Sequence, residues 1–482
     1  MTTQAAAPPR TRARSLNFVI GALGVGAIAS ILDSTIVNVA VDHLSTVFNT
    51  PVTHTQWVVT SFLLAMAAIV PLSGWLIDRL GGRTAWMIAL STFLVGSILC
   101  GLAWNIDALI AFRALQGLGA GLIVPILMAV LTQVAGPDRL MSAMGSFSLL
   151  VQVGPILGPV VGGALVQAAD WRWVFFVNVP FCLLGLTLAP FALPAHHATV
   201  TRRRLDLVGL ALMAPALVGL VLGVSNVSPT HGFGQLDVWL PLALGIVLLA
   251  LFTAWSLRDG QRALIDVRLF TDRTFRIANL LSIALGFTMF GGMLLLPLYF
   301  QGVLGASTLE AGLLLVPQGI GAAAIILGAK KYLRGISPRT RILAGFILMA
   351  LGTVPFALPD LRDQTVLTLL ALVVRGTGVG LATPALSAMA IATLPSSQVA
   401  RGTTAFNIVQ RVGAPFGTTV LAVVLARATE QSAATVAGIA GAFSVAFWWA
   451  IAATAIPVIL ALLLPRATPK ATTSPQASGA AR

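Results

Sequence analysis

Charge is the scarcest property of this sequence. Asp, Glu, Lys and Arg make up 9% of its 482 residues while 57% are hydrophobic, and a soluble domain carries roughly 25% charged residues. Water is therefore excluded as the main solvent. Only two cysteines occur, Cys100 and Cys182, and both fall within apolar runs, so no disulfide framework is implied. The five histidines, His43, His54, His196, His197 and His231, lie in polar gaps or at the ends of apolar runs, which argues against a histidine relay. No nucleophile-and-base set and no cluster of metal ligands stands out, so neither an enzyme nor a metal site is expected. No GxxxxGK[ST] loop is present, which argues against ATP-driven pumping. The ~10-residue alternating segments of a transmembrane β-barrel are missing as well.

Apolar runs of about 20 residues recur instead along the whole chain, each long enough to cross a hydrocarbon layer ~30 Å thick. Length alone would suggest about three soluble domains, and the runs override that count. In the first half, spans are expected at Leu16–Val41, Thr55–Ile77, Thr84–Ala103, Ala108–Leu127, Ser142–Val166 and Val174–Leu193. Leu207–Ser225 and Val238–Leu257 follow. The remainder are Ile277–Phe300, Ala311–Ala329, Ile342–Leu358, Val366–Ile391, Thr403–Ala426 and Ile439–Leu464. The expectation is an all-α membrane protein of fourteen helices. Met1 to Arg14 is basic, but the run after it is too long for the apolar core of a cleavable signal, and reads as the first span.

The net charge is +14, from 29 basic and 15 acidic residues, a balance that can mark nucleic-acid binding. Its distribution argues otherwise. Basic residues gather in short gaps between apolar runs, as in Arg202, Arg203 and Arg204, and again in Lys330, Lys331, Arg334, Arg339 and Arg341. That is the positive-inside pattern, which sets orientation. An even helix count puts both termini on one side, and about 23 of the 29 Lys and Arg share it, so both termini are expected in the cytoplasm.

An internal repeat divides the chain. Arg113 heads the run Arg-Ala-Leu-Gln-Gly-Leu-Gly-Ala-Gly, and about 260 residues later Arg375 heads Arg-Gly-Thr-Gly-Val-Gly, placed similarly in its span. Gly154-Pro-Ile-Leu-Gly158 has a partner in Gly413-Ala-Pro-Phe-Gly417, and Gly74 and Gly81 match Gly328 and Gly335. Pairs sharing nearly one offset imply duplicated halves, the usual construction of secondary transporters, which bind between them. The expected organisation is a cytoplasmic tail (1–15), a six-helix bundle (16–193), a basic linker (194–206), two inserted helices (207–257), a second linker (258–276), a second six-helix bundle (277–464) and a tail (465–482).

An ionisable side chain deep in a membrane is costly and marks a functional site by default. Asp33, Arg113, Arg375 and Arg411 qualify. Asp33 lies about eight residues before the outer end of the first span and Arg113 about six after the outer start of the fourth, so both sit ~10 Å below the outer face and can pair if the spans adjoin. A carboxylate alternately paired with Arg and exposed to water serves as a proton carrier; a static ion pair that fixes packing is the other reading. Gly154, Gly158 and Gly162 recur every four residues on one helical face, with Pro155 and Pro159 beside them. A neighbouring backbone can approach such a stripe closely. Asn38, Gln116, Gln152, Gln318, Asn407, Gln410 and Arg411 are candidates to line a substrate cavity, or else to bond between helices.

Gly74-Trp-Leu-Ile-Asp78-Arg79-Leu-Gly81-Gly82-Arg83 resembles the cytoplasmic signature loop of the major facilitator superfamily. Arg113 to Gly121 resembles that superfamily's motif in the fourth helix, and Gly154 to Gly163 resembles the antiporter motif of its drug exporters. Leu32-Asp33-Ser-Thr-Ile-Val-Asn38-Val-Ala40 is similar to the first-helix motif of the fourteen-helix drug:proton antiporter family. The resemblance implies a monomeric exporter in the bacterial cytoplasmic membrane that exchanges protons for small amphipathic molecules without a cofactor, with Asp33 and Arg113 tied to proton coupling. Gly82 departs from the signature, which usually has a basic residue there, so a charge relay from Asp78 falls to Arg79 or Arg83. An exporter dedicated to one endogenous compound, or a non-transporting membrane sensor or scaffold, is a rival reading.

Overall fold

A computed structural model describes residues 16–193, 205–227, 234–258, 266–328, 333, 335–361, 364–395, 398–433 and 435–465, apart from some side chains inside helices. The expected tails apart from residue 465, residues 194–204 of the first linker and 259–265 of the second lie outside the described residues, as do the side chains of Asn38, Gln152, Gly154, Pro155, Pro159 and Arg411 among the expected site residues. The first half contains α1 (Leu16–Val47), α2 (Val52–Thr55), α3 (Trp57–Ile69), α4 (Leu72–Gly101), α5 (Ile106–Ala168), α6 (Trp173–Phe176) and α7 (Asn178–Ala192). The inserted pair is α8 (Leu207–Ser225) and α9 (Leu236–Arg258). The second half contains α10 (Arg273–Gly302), α11 (Thr308–Leu314), α12 (Val316–Leu327), α13 (Pro338–Leu351), α14 (Val354–Ala357), α15 (Thr365–Ile391), α16 (Val399–Glu430), α17 (Val436–Ala453) and α18 (Ala455–Leu462).

Polar residues in the gaps set where helices begin, because a side-chain oxygen at the N-cap accepts from an otherwise unpaired backbone N–H. Asn105 caps α5, Asp206 caps α8, Asp272 caps α10 and Ser337 caps α13, while Ser307 and Glu310 form a reciprocal capping box on α11. The outward faces invert the soluble pattern. On α9, Leu236, Trp239, Leu240, Leu244, Val247 and Leu251 are all exposed, a helical stripe suited to lipid tails. Twelve helices among the described residues are long and apolar enough to cross a membrane, so this is a multi-pass helical membrane protein. The expected fourteen differ for two reasons. The second expected span is split, since α3 ends at Ile69 and α4 begins at Leu72 and continues to Gly101 past a break at Gly81, where φ is 80° and ψ 157°. The fourth and fifth expected spans fall in the single 63-residue element α5, of which Ile106–Ala135 is one apolar crossing.

Glycines bring the helices close enough to show the register of the repeat. A Cβ on Gly117 or Gly121 of α5 would meet the carbonyls of Phe62 and Met66 on α3, and one on Gly376 or Gly380 of α15 would meet those of Gln318 and Ala322 on α12. Likewise Gly96 of α4 packs on the backbone of Gln116, and Gly352 after α13 on that of Arg375. The glycine run of α15 therefore corresponds to that of α5, and Arg375 occupies the place of Gln116. The sequence pairing of Arg113 with Arg375 is one helical turn out of register. Gly81 and Gly335 do correspond as loop positions, both with positive φ, at 80° and 84°. The inserted pair packs through Gly219, Gly223 and Gly245, and α8 touches both α3 and α16, bridging the halves.

Candidate functional site

Asp33, on α1, is fully buried at 0% exposure and is the one buried carboxylate among the described residues. Nη1 of Arg113, at 1% exposure, lies 2.5 Å from Asp33 Oδ2. The pairing anticipated from depth alone is present. Arg113 Nη1 also donates to Gln116 Oε1 at 2.7 Å, and its Nε to the carbonyl of Val58 at 3.1 Å. Its guanidinium carbon stands 4.0 Å from the centroid of the Phe62 ring, a cation–π contact that partly replaces lost hydration. The other carboxylate oxygen, Oδ1, accepts from Gln116 Nε2 at 2.9 Å and from Asn178 Nδ2 at 2.8 Å. Ser97 completes the cluster: its hydroxyl accepts from both amides at 3.1 and 3.0 Å and donates to the carbonyl of Phe175 at 2.9 Å.

Six elements meet here, and local sequence explains how. Gly96 lets α5 approach α4 at Gln116, so Ser97 beside it reaches the amide. The break between α6 and α7 falls at Val177 and leaves Asn178 as the first residue of α7, facing α1. A buried polar network of this kind fixes its helices most firmly where its members are satisfied. One acceptor is left over: Asn178 Oδ1 is buried without a hydrogen-bond partner. Sequence reasoning passed over Asn178 and Ser97. The signal that finds them is the depth rule used for Asp33 and Arg113, because each lies within seven residues of the outer end of its expected span.

Other expected site residues fall elsewhere. Gln116 was a cavity candidate, but it is fully buried in the ion-pair network, because Gly96 seats its helix directly against α4. Asn407 is buried and its amide donates back to Thr403 within α16, satisfying itself on its own helix. Gln318 and Gln410 are half-buried. Gly158 and Gly162 do make the inferred close contact: a Cβ on Gly158 would collide with the Thr35 hydroxyl, and one on Gly162 would lie 2.9 Å from the carbonyl of Ile36. In the signature loop Gly74 and Gly81 are buried, Asp78 and Arg83 half-buried and Arg79 exposed.

Two sets of helices that pack through matching glycine contacts, with a buried carboxylate and arginine in the first, make this a multi-pass helical membrane fold built on a repeat. Comparisons agree on the fold. The human organic anion transporter MFSD10 (TETRAN) superposes with a TM-score of 0.62 at 17% identity, over 93% of this chain and 100% of that one. A D-xylose-proton symporter gives 0.63 at 16% identity, over 95% and 100%. The family model for the Major Facilitator Superfamily matches residues 23–418, and the chain belongs to that superfamily. It is 37% identical over 410 residues to the multidrug resistance protein B homolog of Mycobacterium tuberculosis, covering 83% of this chain and 75% of that protein. It is 29% identical over 418 residues to the putative multidrug resistance protein MdtD of Pectobacterium atrosepticum, covering 86% and 88%. The protein is thus a membrane transporter of small molecules and not an enzyme.

Proposed function

We propose that this transporter is a proton-coupled antiporter of the fourteen-helix drug exporter type, moving small amphipathic molecules such as drugs, antibiotics or toxic metabolites out across the bacterial cytoplasmic membrane. Asp33 carries the reading. An ionised carboxylate at 0% exposure, held by Arg113, Gln116 and Asn178, is stable only while those donors stay in place. Protonation cancels the ion pair and calls for an acceptor for the new proton. Asn178 Oδ1, buried and without a partner, is available: turning over the amide presents its oxygen to a protonated Asp33 in place of its N–H. Protonation also leaves the buried Arg113 without its counter-charge, so a shift of α1, α5 and α7 between the two states biases the conformational equilibrium. Relatives named for multidrug resistance support drugs as substrates.

In this reading the chain crosses fourteen times as six, two and six helices, with α4 reversing at Gly81 and α5 contributing two crossings. Both termini are cytoplasmic, the bundles span 16–193 and 277–464, and a monomer works without a cofactor. Counterflow in proteoliposomes against a panel of candidate substrates, with and without a pH gradient, tests it. Gradient-driven efflux by the wild type that Asp33→Asn abolishes is the expected result. Flux that ignores the gradient in both proteins overturns proton coupling.

A further inference from the structure

The second half holds a charge of its own that this mechanism does not use. Arg375 is 3% exposed on α15. Its Nη1 donates to Gln318 Oε1 at 2.6 Å and its Nη2 to the carbonyl of Thr288 at 3.0 Å. Both acceptors are neutral, and among the described residues no carboxylate pairs with it. Its counterpart in the first half is Gln116, a neutral amide beside a charge-balanced pair. Among the described residues the second bundle therefore buries a net positive charge where the first buries none, a costly arrangement unless something of opposite sign visits.

The site is built to hold that guanidinium still. Gly352 lies against the Arg375 backbone, Gly292 of α10 leaves just enough space for its Nη atoms, and Gly376 lets α15 press against the carbonyl of Gln318. Four elements thus close round one cation. Gln318, its one side-chain partner, is only half-buried and stands at the start of α12. The positive end of a helix dipole adds to the field at that point. Both α12 and α15, which carry Gln318 and Arg375, touch α5 of the first half.

We propose that Arg375 anchors an anionic group of the transported molecule: the cargo is an amphiphile with one carboxylate or similar oxyanion, which displaces the Gln318 amide oxygen and takes the guanidinium as a charge-assisted pair. This rests on the reading of the chain as an exporter. It places the proton chemistry in the first bundle and cargo recognition in the second. A cationic amphiphile is disfavoured at the same site by the same charge.

Fluorescence titration of the full chain in phosphatidylcholine nanodiscs, without any gradient, tests this. The probes are dansylamino-undecanoic acid, its methyl ester, and a quaternary ammonium amphiphile of equal chain length. The wild type should bind the acid about tenfold or more tighter than the ester, as expected for a charge-assisted pair, and the cation most weakly. Arg375→Gln should bring the acid down to the ester, while Arg375→Lys keeps most of the preference. If Arg375→Gln does not fold, Gln318→Glu supplies an internal carboxylate and should abolish the preference while raising thermal stability. Equal binding of acid and ester by the wild type overturns the proposal, as does a preference that survives Arg375→Gln or Gln318→Glu. So does loss of acid binding when phosphatidylglycerol is added, which assigns the cation to a lipid headgroup. Failure of proton coupling shows separately, as flux that is independent of pH in liposomes.

Discussion

The coupling between Asp33 and Arg113 can be measured as a free energy. Asn is nearly the same volume as Asp, but it offers one acceptor oxygen where the carboxylate offers two. Asp33 takes Arg113 on Oδ2 and the amides of Gln116 and Asn178 on Oδ1. In Asp33→Asn one of those sets must face an N–H donor, and a fully buried guanidinium loses its counter-charge. Breaking a buried pair from one side costs about 3–5 kcal/mol, and the surviving hydrogen bonds put this case near the lower end, a factor of about 100 in the folding equilibrium. Arg113→Gln should cost a similar amount by exposing the carboxylate to the same dry site. The double variant removes both charges, so its cost should fall short of the sum by about 2–3 kcal/mol. Reversible unfolding in mixed micelles titrated with dodecyl sulfate reads all three. Costs that add to within about 0.5 kcal/mol would mean that the pair contributes nothing in the folded protein.

Arg113→Ala removes the cation that faces Asp33 and should change the pH profile of transport and not merely its rate; a lower rate with an unchanged profile leaves only a packing role. Gly158→Leu has no room against Thr35 and Ile36 and should insert normally yet fail to transport, so normal flux from that variant contradicts the close contact. Gly81→Ala forces a side chain into a φ of 80° and ψ of 157°, which only glycine adopts readily, and should lower stability by about 1–3 kcal/mol; an unchanged melting temperature argues against that turn. For Asp78, α4 touches α16, and a carboxylate docked at the start of α16 would be stabilised by ~0.3–2 kcal/mol while the cytoplasmic ends are together. Asp78→Asn should raise labelling of single cysteines on those ends in a background lacking Cys100 and Cys182, and equal labelling with and without the change assigns Asp78 no gating role.

The sequence by itself determined the solvent, the helical class and the common depth of Asp33 and Arg113. A chain with 9% charged residues and unbroken apolar runs in place of alternating segments satisfies its backbone polar groups in lipid by coiling those runs into helices. Against so apolar a background Asp33 and Arg113 stand out, and counting residues from the ends of their runs gave a common depth because rise per residue is fixed. Depth is all that such counting yields. Which way a side chain points depends on the rotation of its helix against its neighbours, and that is set by contacts between residues far apart in the chain. Hence only the tertiary structure placed Gln116 in the ion-pair network and brought in Asn178 and Ser97. The repeat shows the same division. Glycine spacing revealed that the halves correspond, since close packing demands small residues at fixed intervals. Only the contacts of Gly96 and Gly352 decided that Arg375 corresponds to Gln116 and not to Arg113, because register between two bundles is a property of which helix faces meet.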